Sequence, residues 1–166
     1  MENYNFKALP IYFKKLDDDV IVPKYANEND AGMDLYSNEN IIINPQQTIA
    51  IKTGLCVEIP VGFELQIRPR SGLSLNTKLR IANSPATIDS GFRGEIKVIV
   101  FNTSIDNDQK IYTLDSINKN GIYEIKKHER IAQLVLNKIE KIKFIEKTDL
   151  NQSARGEKGF GSSGIS

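Results

Sequence analysis

Short runs of alternating apolar and polar residues dominate the chain. Phe63-Glu64-Leu65-Gln66-Ile67-Arg68 alternates with period two, which is the pattern of a half-buried strand. Thr48-Ile49-Ala50-Ile51-Lys52 repeats it less cleanly. Gly94 through Phe101 starts by alternating and becomes apolar on both faces, as a central strand does. The pairs Asn44-Pro45, Ile59-Pro60 and Val61-Gly62 punctuate these runs at the spacing of a sandwich or barrel. Ile131, Val135, Ile139 and Ile142 fall at helical spacing, but the stretch Ile131–Ile145 is so rich in β-branched residues that it is expected as strand. Ser71 is placed to cap one or two helical turns over Ser71–Lys78. Between residues 105 and 121 the chain turns polar. There Asn120-Gly121, lying between Lys110-Ile111-Tyr112-Thr113 and Ile122-Tyr123-Glu124-Ile125, predicts a surface hairpin. The expectation is an all-β domain with one short helix.

The 166 residues suffice for one core, and no low-complexity linker divides them. A formal net charge of +1 offers no global basic field for nucleic acid and no polybasic run for a membrane. No apolar stretch approaches the length of a membrane span, and the N-terminus lacks a signal pattern, so a cytoplasmic protein is expected. Cys56, the only cysteine, reads as a small buried hydrophobe rather than a nucleophile. With His128 the only histidine, His-rich zinc sites and HExxH helices are excluded. Chemistry must come from carboxylates, arginines, glycines and hydroxyls.

Those residues concentrate in four stretches: Arg68–Gly72, Asn83–Asp89, Phe92–Gly94 and Arg155–Gly164. Cations, glycines and hydroxyls together are the materials of phosphate cradles. Alone, Arg70-Ser71-Gly72 reads as a capped helix with a surface arginine, and the Gly/Ser tail reads as a linker. A linker needs neither Arg155 nor Phe160, whereas a flap closing over a phosphorylated base uses both. Asp89 reads first as a turn residue. Set near Arg93 and Lys97 and a polyphosphate, it becomes a general base for water, a role worth about 10²–10⁴ in rate.

In order, Ala31–Leu35, Arg68–Ser74, Asn83–Gly94, Glu129–Leu134 and Arg155–Gly164 resemble the five motifs of the trimeric dUTP pyrophosphatase (dUTPase) family. The resemblance implies a distorted jelly-roll barrel over residues 1–150 and a flexible arm, 151–166, that closes the active site. It implies a homotrimer with sites between subunits, dUTP as substrate, Mg²⁺ as cofactor, and attack at the α-phosphorus giving dUMP and pyrophosphate. Such an enzyme controls dUTP and supplies dUMP for thymidylate synthesis.

Carried over by residue, the resemblance makes Asp89 the base, and Arg70, Ser71, Gly72 and Gln133 the phosphate contacts. Asp34 would act on Mg²⁺ through water. Asn83, Thr87 and Ile88 would line the uracil pocket, Phe92 would pack under the deoxyribose, and Lys97 would contact the nucleotide. Arg155, Phe160, Gly161 and Ser162 of the arm would meet the γ-phosphate and the base. Ala86, His128 and Lys158 stand where glycine is usual, and Lys158 is expected to add a cation near the phosphates. Two rivals share the features: a dCTP deaminase of the same fold, and a nucleotide-binding regulatory protein using the Lys110–Gly121 insertion. The first needs a glutamate near the pyrimidine amine, yet Asp89 follows Ile88 and no glutamate comes before Glu95.

Overall fold

The computed structural model describes residues 8–105, 109–157 and 159. Among them run β1 (Tyr12–Lys15), β2 (Met33–Tyr36), β3 (Ile41–Ile43), β4 (Thr48–Glu58), β5 (Phe63–Arg68) and α1 (Ser71–Asn76). These are followed by β6 (Leu79–Ile81), β7 (Ala86–Ile88), β8 (Glu95–Asn102), β9 (Ile111–Tyr112), β10 (Ile122–Ile125) and β11 (Arg130–Lys138). Two four-stranded sheets, ordered β1-β4-β8-β6 and β2-β11-β5-β7, enclose the core, and a three-stranded sheet β3-β10-β9 adjoins them. This is the jelly-roll-like all-β architecture with one short helix that the sequence predicts.

The alternation does the folding. In β5, Leu65 and Ile67 are buried while Glu64, Gln66 and Arg68 face outward. In β8, Ile96, Val98 and Val100 enter the core from a central position. β4 carries a bulge, where the pairing with β8 shifts between Lys52 and Cys56 while Ile51, Leu55 and Val57 keep to the core face on either side. Gly54 makes that bulge possible: its φ is +68°, and a Cβ there would lie 2.6 Å from the Asn38 amide nitrogen.

Four expectations need correction. The 105–121 segment is not a surface hairpin: β9 and β10 run parallel, and β10 pairs antiparallel with β3. The buried Asn102 amide donates to Ile43 O at 3.0 Å and Gly121 O at 2.8 Å, which draws the start of β10 beside β3. Tyr123 and Ile125 are thereby fully buried, and the Tyr123 hydroxyl donates to Lys119 O at 2.7 Å. Second, Cys56 is half-buried rather than core, because Leu55 and Val57 take the inward positions beside it. Third, Ser71 does not cap α1. Arg70 is the N-cap residue, extended at φ −86°, ψ 135°, without a side-chain cap bond. Fourth, the strand expected over Ile131–Ile145 ends at Lys138. Beyond Ile139, Ile142, Phe144, Ile145 and Leu150 are 76–91% exposed.

Ala86 fits an ordinary buried strand position opposite Ile67. His128 keeps the left-handed backbone a glycine would take, at φ +71°. Its side chain is partly exposed, 3.8 Å from Asp19, as befits a structural surface residue. Among the described residues no helix is long and apolar enough to cross a membrane.

Candidate active site

Across the β2-β11-β5-β7 sheet, Leu134 stands opposite Met33 on one side and Ile67 on the other, and Leu134 and Ile67 are buried. The alternate residues Asp34, Gln133 and Arg68 therefore form a row on the outer face, since Gln133 opposes both Asp34 and Arg68. The chain leaves β5 through Pro69, and Arg70 reaches back over the row. Its Nε donates to Asp34 Oδ1 at 2.7 Å, and its Nη1 lies 3.5 Å from the Arg130 carbonyl oxygen. Arg130 Nη1 lies 3.3 Å from the other Asp34 oxygen. Gln133 Nε2 donates to Pro69 O at 2.9 Å. Gly32 lets the glutamine lie there, because a Cβ at this position would stand 2.6 Å from Gln133 Oε1.

Ser71 and Gly72 follow at the exposed start of α1. The first helical bond runs from Ser74 N to Arg70 O, so the preceding N–H groups have no intrahelical acceptor. A Cβ at Gly72 would meet nothing within 4 Å. Among the described residues no steric demand explains that glycine.

A second group lies on the β6–β7–β8 connection. Asn83, Thr87 and Asp89 are exposed, and none of their side chains has a partner among the described residues. Ile88 instead is half-buried and packs against the core. Phe92 N donates to Asp89 O at 3.0 Å, closing the turn. The Phe92 ring folds back over Gly94, where a Cβ would lie 2.7 Å from its Cζ. Arg93 and Lys97 do not surround Asp89 in the manner the sequence suggests. Arg93 holds the turn through Ser90 O and Phe92 O at 2.6 and 2.9 Å, and lies 3.7 Å from Glu58. Lys97 projects from the other sheet, 3.9 Å from Glu95.

The two groups are apart. Ile88 pairs with Leu65, so Asp89 lies level with Glu64, whereas Gln133 lies level with Arg68, four residues farther along β5. At about 3.3 Å per residue that is roughly 13 Å along the strands, and the two strand spacings from β7 to β11 add about 10 Å across them. Arg155 lies on the exposed tail. Lys158, Phe160, Gly161 and Ser162 fall outside the described residues. Sequence reading gave no role to Arg130 or Gly32, although both lie inside recognised motifs.

No three His, Cys, Asp or Glu side chains converge to cage a metal among the described residues. Asp34 keeps lone pairs beyond those its two arginines take. The donor set suits an Mg²⁺ that rides on phosphate oxygens with its water shell, rather than one in an all-protein cage.

The dUTPase family model matches residues 18–164. A Clostridioides difficile deoxyuridine 5'-triphosphate nucleotidohydrolase is 44% identical over 162 residues, covering 98% of this chain and 99% of that protein. A Helicobacter pylori protein of the same name is 40% identical, covering 95% and 99% respectively. Among solved structures, a variant Staphylococcus bacteriophage 80alpha dUTPase with dUpNHpp superposes with a TM-score of 0.86 at 32% identity, over 95% of this chain and all of that one. A phage phi11 dUTPase variant, described with a structural Mg(II) ion, gives 0.78 at 25% identity, over 87% of this chain and all of that one. With the family model spanning nearly the whole chain and these identities behind it, the chain belongs to the dUTPase family.

Proposed function

We propose that this chain hydrolyses dUTP to dUMP and pyrophosphate in sites built between copies of itself. Family membership supports the reaction. The observation that carries the site is the separation of base and phosphate grip. Asp89 and the Arg70–Asp34–Gln133 row stand apart in one chain, by about 13 Å along the strands and by further strand spacings across them. A single α-phosphorus cannot be served by both unless a second copy supplies one of them.

In this reading Asp89 of one copy orients a water molecule and accepts its proton as the oxygen attacks the α-phosphorus. The bond from that phosphorus to the bridging oxygen breaks, and pyrophosphate leaves. Arg70, Ser71 and Gly72 of another copy hold the phosphate oxygens, with Gln133 at the α-phosphate. Asn83 and Thr87, with the backbone at Ile88, read the uracil edge. A site that pairs with uracil rejects cytosine by about 10⁴–10⁵, because cytosine reverses the donors and acceptors. Phe92 lies under the deoxyribose, and Lys97 contacts the nucleotide from its own sheet. When bound, Mg²⁺ offsets the charge of the triphosphate, and Asp34 would meet its water shell.

The assembly is a homotrimer. Its support is the tail after β11, where Ile142, Phe144, Ile145 and Leu150 find no cover among the described residues of their own chain. The arm, residues 151–166, would come from a third copy, with Arg155 at the γ-phosphate, Phe160 over the base, and Gly161 and Ser162 adding phosphate-binding N–H groups.

Product analysis with dUTP, dCTP and UTP in Mg²⁺ tests the reaction. Pyrophosphate from dUTP alone is expected; inorganic phosphate, or ammonia from dCTP, overturns the reading. Light scattering at working concentration tests the assembly, and a monomer that is fully active would refute the shared site.

A further inference from the structure

The Asp34 carboxylate sits between two arginines from different elements, the N-cap of α1 and the start of β11, and only one of them belongs to the phosphate grip proposed above. Arg70 gives it Nε at 2.7 Å; Arg130, at the start of β11, gives it Nη1 at 3.3 Å on the opposite oxygen. Arg130 also offers its carbonyl oxygen to Arg70 Nη1 at 3.5 Å. We propose that Arg130 is a positioning residue for the phosphate grip, acting through Asp34 to fix the guanidinium of Arg70 for a triphosphate. This inference rests on the reading of Arg70 as a phosphate ligand.

The chemistry is that of a fork held at its base. An arginine guanidinium is planar, with five N–H donors in fixed directions. Asp34 takes the donor on Nε, and the Arg130 carbonyl faces one on Nη1. What remains, chiefly the pair on Nη2, is left for phosphate oxygens. The orientation of Arg70 then depends on that of Asp34. A carboxylate bound on one oxygen alone is free to turn about its terminal torsion, which is broad. Bound on both oxygens from opposite sides, it is not.

Charge points the same way. Asp34 and Arg70 alone form a neutral pair, and a triphosphate would have to compete with the carboxylate for the guanidinium. Arg130 engages the second oxygen and leaves the cluster one positive charge in excess. The side chains also differ in exposure: Asp34 and Arg70 are 24% and 27% accessible, whereas Arg130 is 56% accessible. Arg130 lies on the solvent side of the carboxylate, where its removal opens no cavity in the core. A substitution there is expected to fold.

The test is a cycle measured on the full-length enzyme as kcat/KM for dUTP, with a thermal melt on each variant. Arg130→Gln is expected to lower kcat/KM about 10-fold at unchanged melting temperature. Arg130→Lys, which keeps a donor for the second oxygen, should recover to within about threefold of wild type. In an Asp34→Asn background, Arg130→Gln should change kcat/KM by less than twofold, because the group it works through is gone. An Arg130→Gln enzyme as active as wild type would overturn the inference. So would a 10-fold loss that persists in the Asp34→Asn background, which would mean Arg130 acts on the substrate directly. If Arg130→Gln fails to fold, the decision passes to Arg130→Lys, where a full 10-fold loss would also overturn it. Arg70→Gln separates the two readings: if that variant is unimpaired, the phosphate grip itself is misplaced, whatever Arg130 does.

Discussion

At the α1 end of β5, the end proposed to grip phosphate, Arg70 and Arg130 are bound to Asp34 and Gln133 is bound to Pro69 O, all within a single chain. At the Asp89 end, the carboxylate, the Asn83 amide and the Thr87 hydroxyl have no partner among the described residues. One end is preorganised by its own fold. The other offers unsatisfied groups from a turn held by Phe92 N and by Arg93. Fixed guanidinium dipoles bind oxyanions without reorganising, which favours a rigid grip. A base must keep its acceptor free until water arrives, which favours the open turn.

The comparison breaks most visibly at Asp89. Asp89→Asn keeps size and polarity but cannot take the proton, so kcat should fall by about 10²–10⁴. Binding of dUpNHpp should stay within about threefold of wild type, since the phosphate end is intact. A loss of affinity as large as the loss of rate would show that Asp89 chiefly holds substrate.

The second effect concerns who owns each end. Asp89→Asn and Arg70→Ala chains, each inactive, are mixed after unfolding and refolded together. If every site joins Asp89 of one copy to Arg70 of another, about a quarter of sites in a random assembly regain both residues. Activity should reappear to that extent. A mixture as inactive as its components would mean that both residues serve the same site from one chain, against the separation along and across the sheet that the pairing register sets.

Gly32→Ala comes next and stays within the preorganised end. The new Cβ would stand 2.6 Å from Gln133 Oε1 and 3.3 Å from Val135 Cγ2. A glutamine amide can swing away, so the fold should tolerate the change, with a melting point lowered by only a few degrees. Swinging takes Nε2 off Pro69 O and displaces the amide from the α-phosphate, and kcat/KM should fall about 10-fold. Wild-type kinetics in this variant would remove Gln133 from the phosphate contacts.

How much of this could be read beforehand follows the range of the interactions. β5 was legible to the residue, because Phe63 to Arg68 alternates without interruption and period two is a local property. The β11 strand was legible against a competing helical spacing, because its β-branched residues set the balance, and only its end was misplaced. The β9–β10 pairing was not legible. Asn120-Gly121 is a genuine hairpin signal, overridden by the Asn102 amide gripping Gly121 from another strand. The motifs located Asp34 and Glu129-Arg130, but nothing local says that Arg130, 96 residues from Asp34, shares its carboxylate with Arg70. The cations expected around Asp89 were misread for a like reason: being close in sequence to it, Arg93 and Lys97 nevertheless turn to Glu58 and Glu95.

The smallest effect lies outside both ends, in the charged clasp that ties the loop after β1 to the β10–β11 turn. Lys127 Nζ lies 2.8 Å from Asp19 and 3.8 Å from Asp17, and His128 lies 3.8 Å from Asp19. Hydrogen bonding with Asp17, and then with Lys127, lowers the Asp19 carboxyl from 3.8 to about 2. Its folded value is depressed, so its stabilising contribution is complete above about pH 4 and is lost as pH falls through 2. Lys127 is raised by Asp19, so its share is complete below its usual 10.5 and is lost only in strong alkali. The clasp is exposed and screened by salt, which keeps the effect small. Asp19→Asn should lower the melting temperature at pH 7 by no more than about 2 °C. The gap from wild type should close between pH 4 and 2, and kcat/KM for dUTP should not change. A gap that survives at pH 2 would show that Asp19 holds the loop by packing rather than by charge. A fall in kcat/KM would mean that the clasp is coupled to the phosphate end, and that the hydrogen-bonded order there extends along β11 beyond the site.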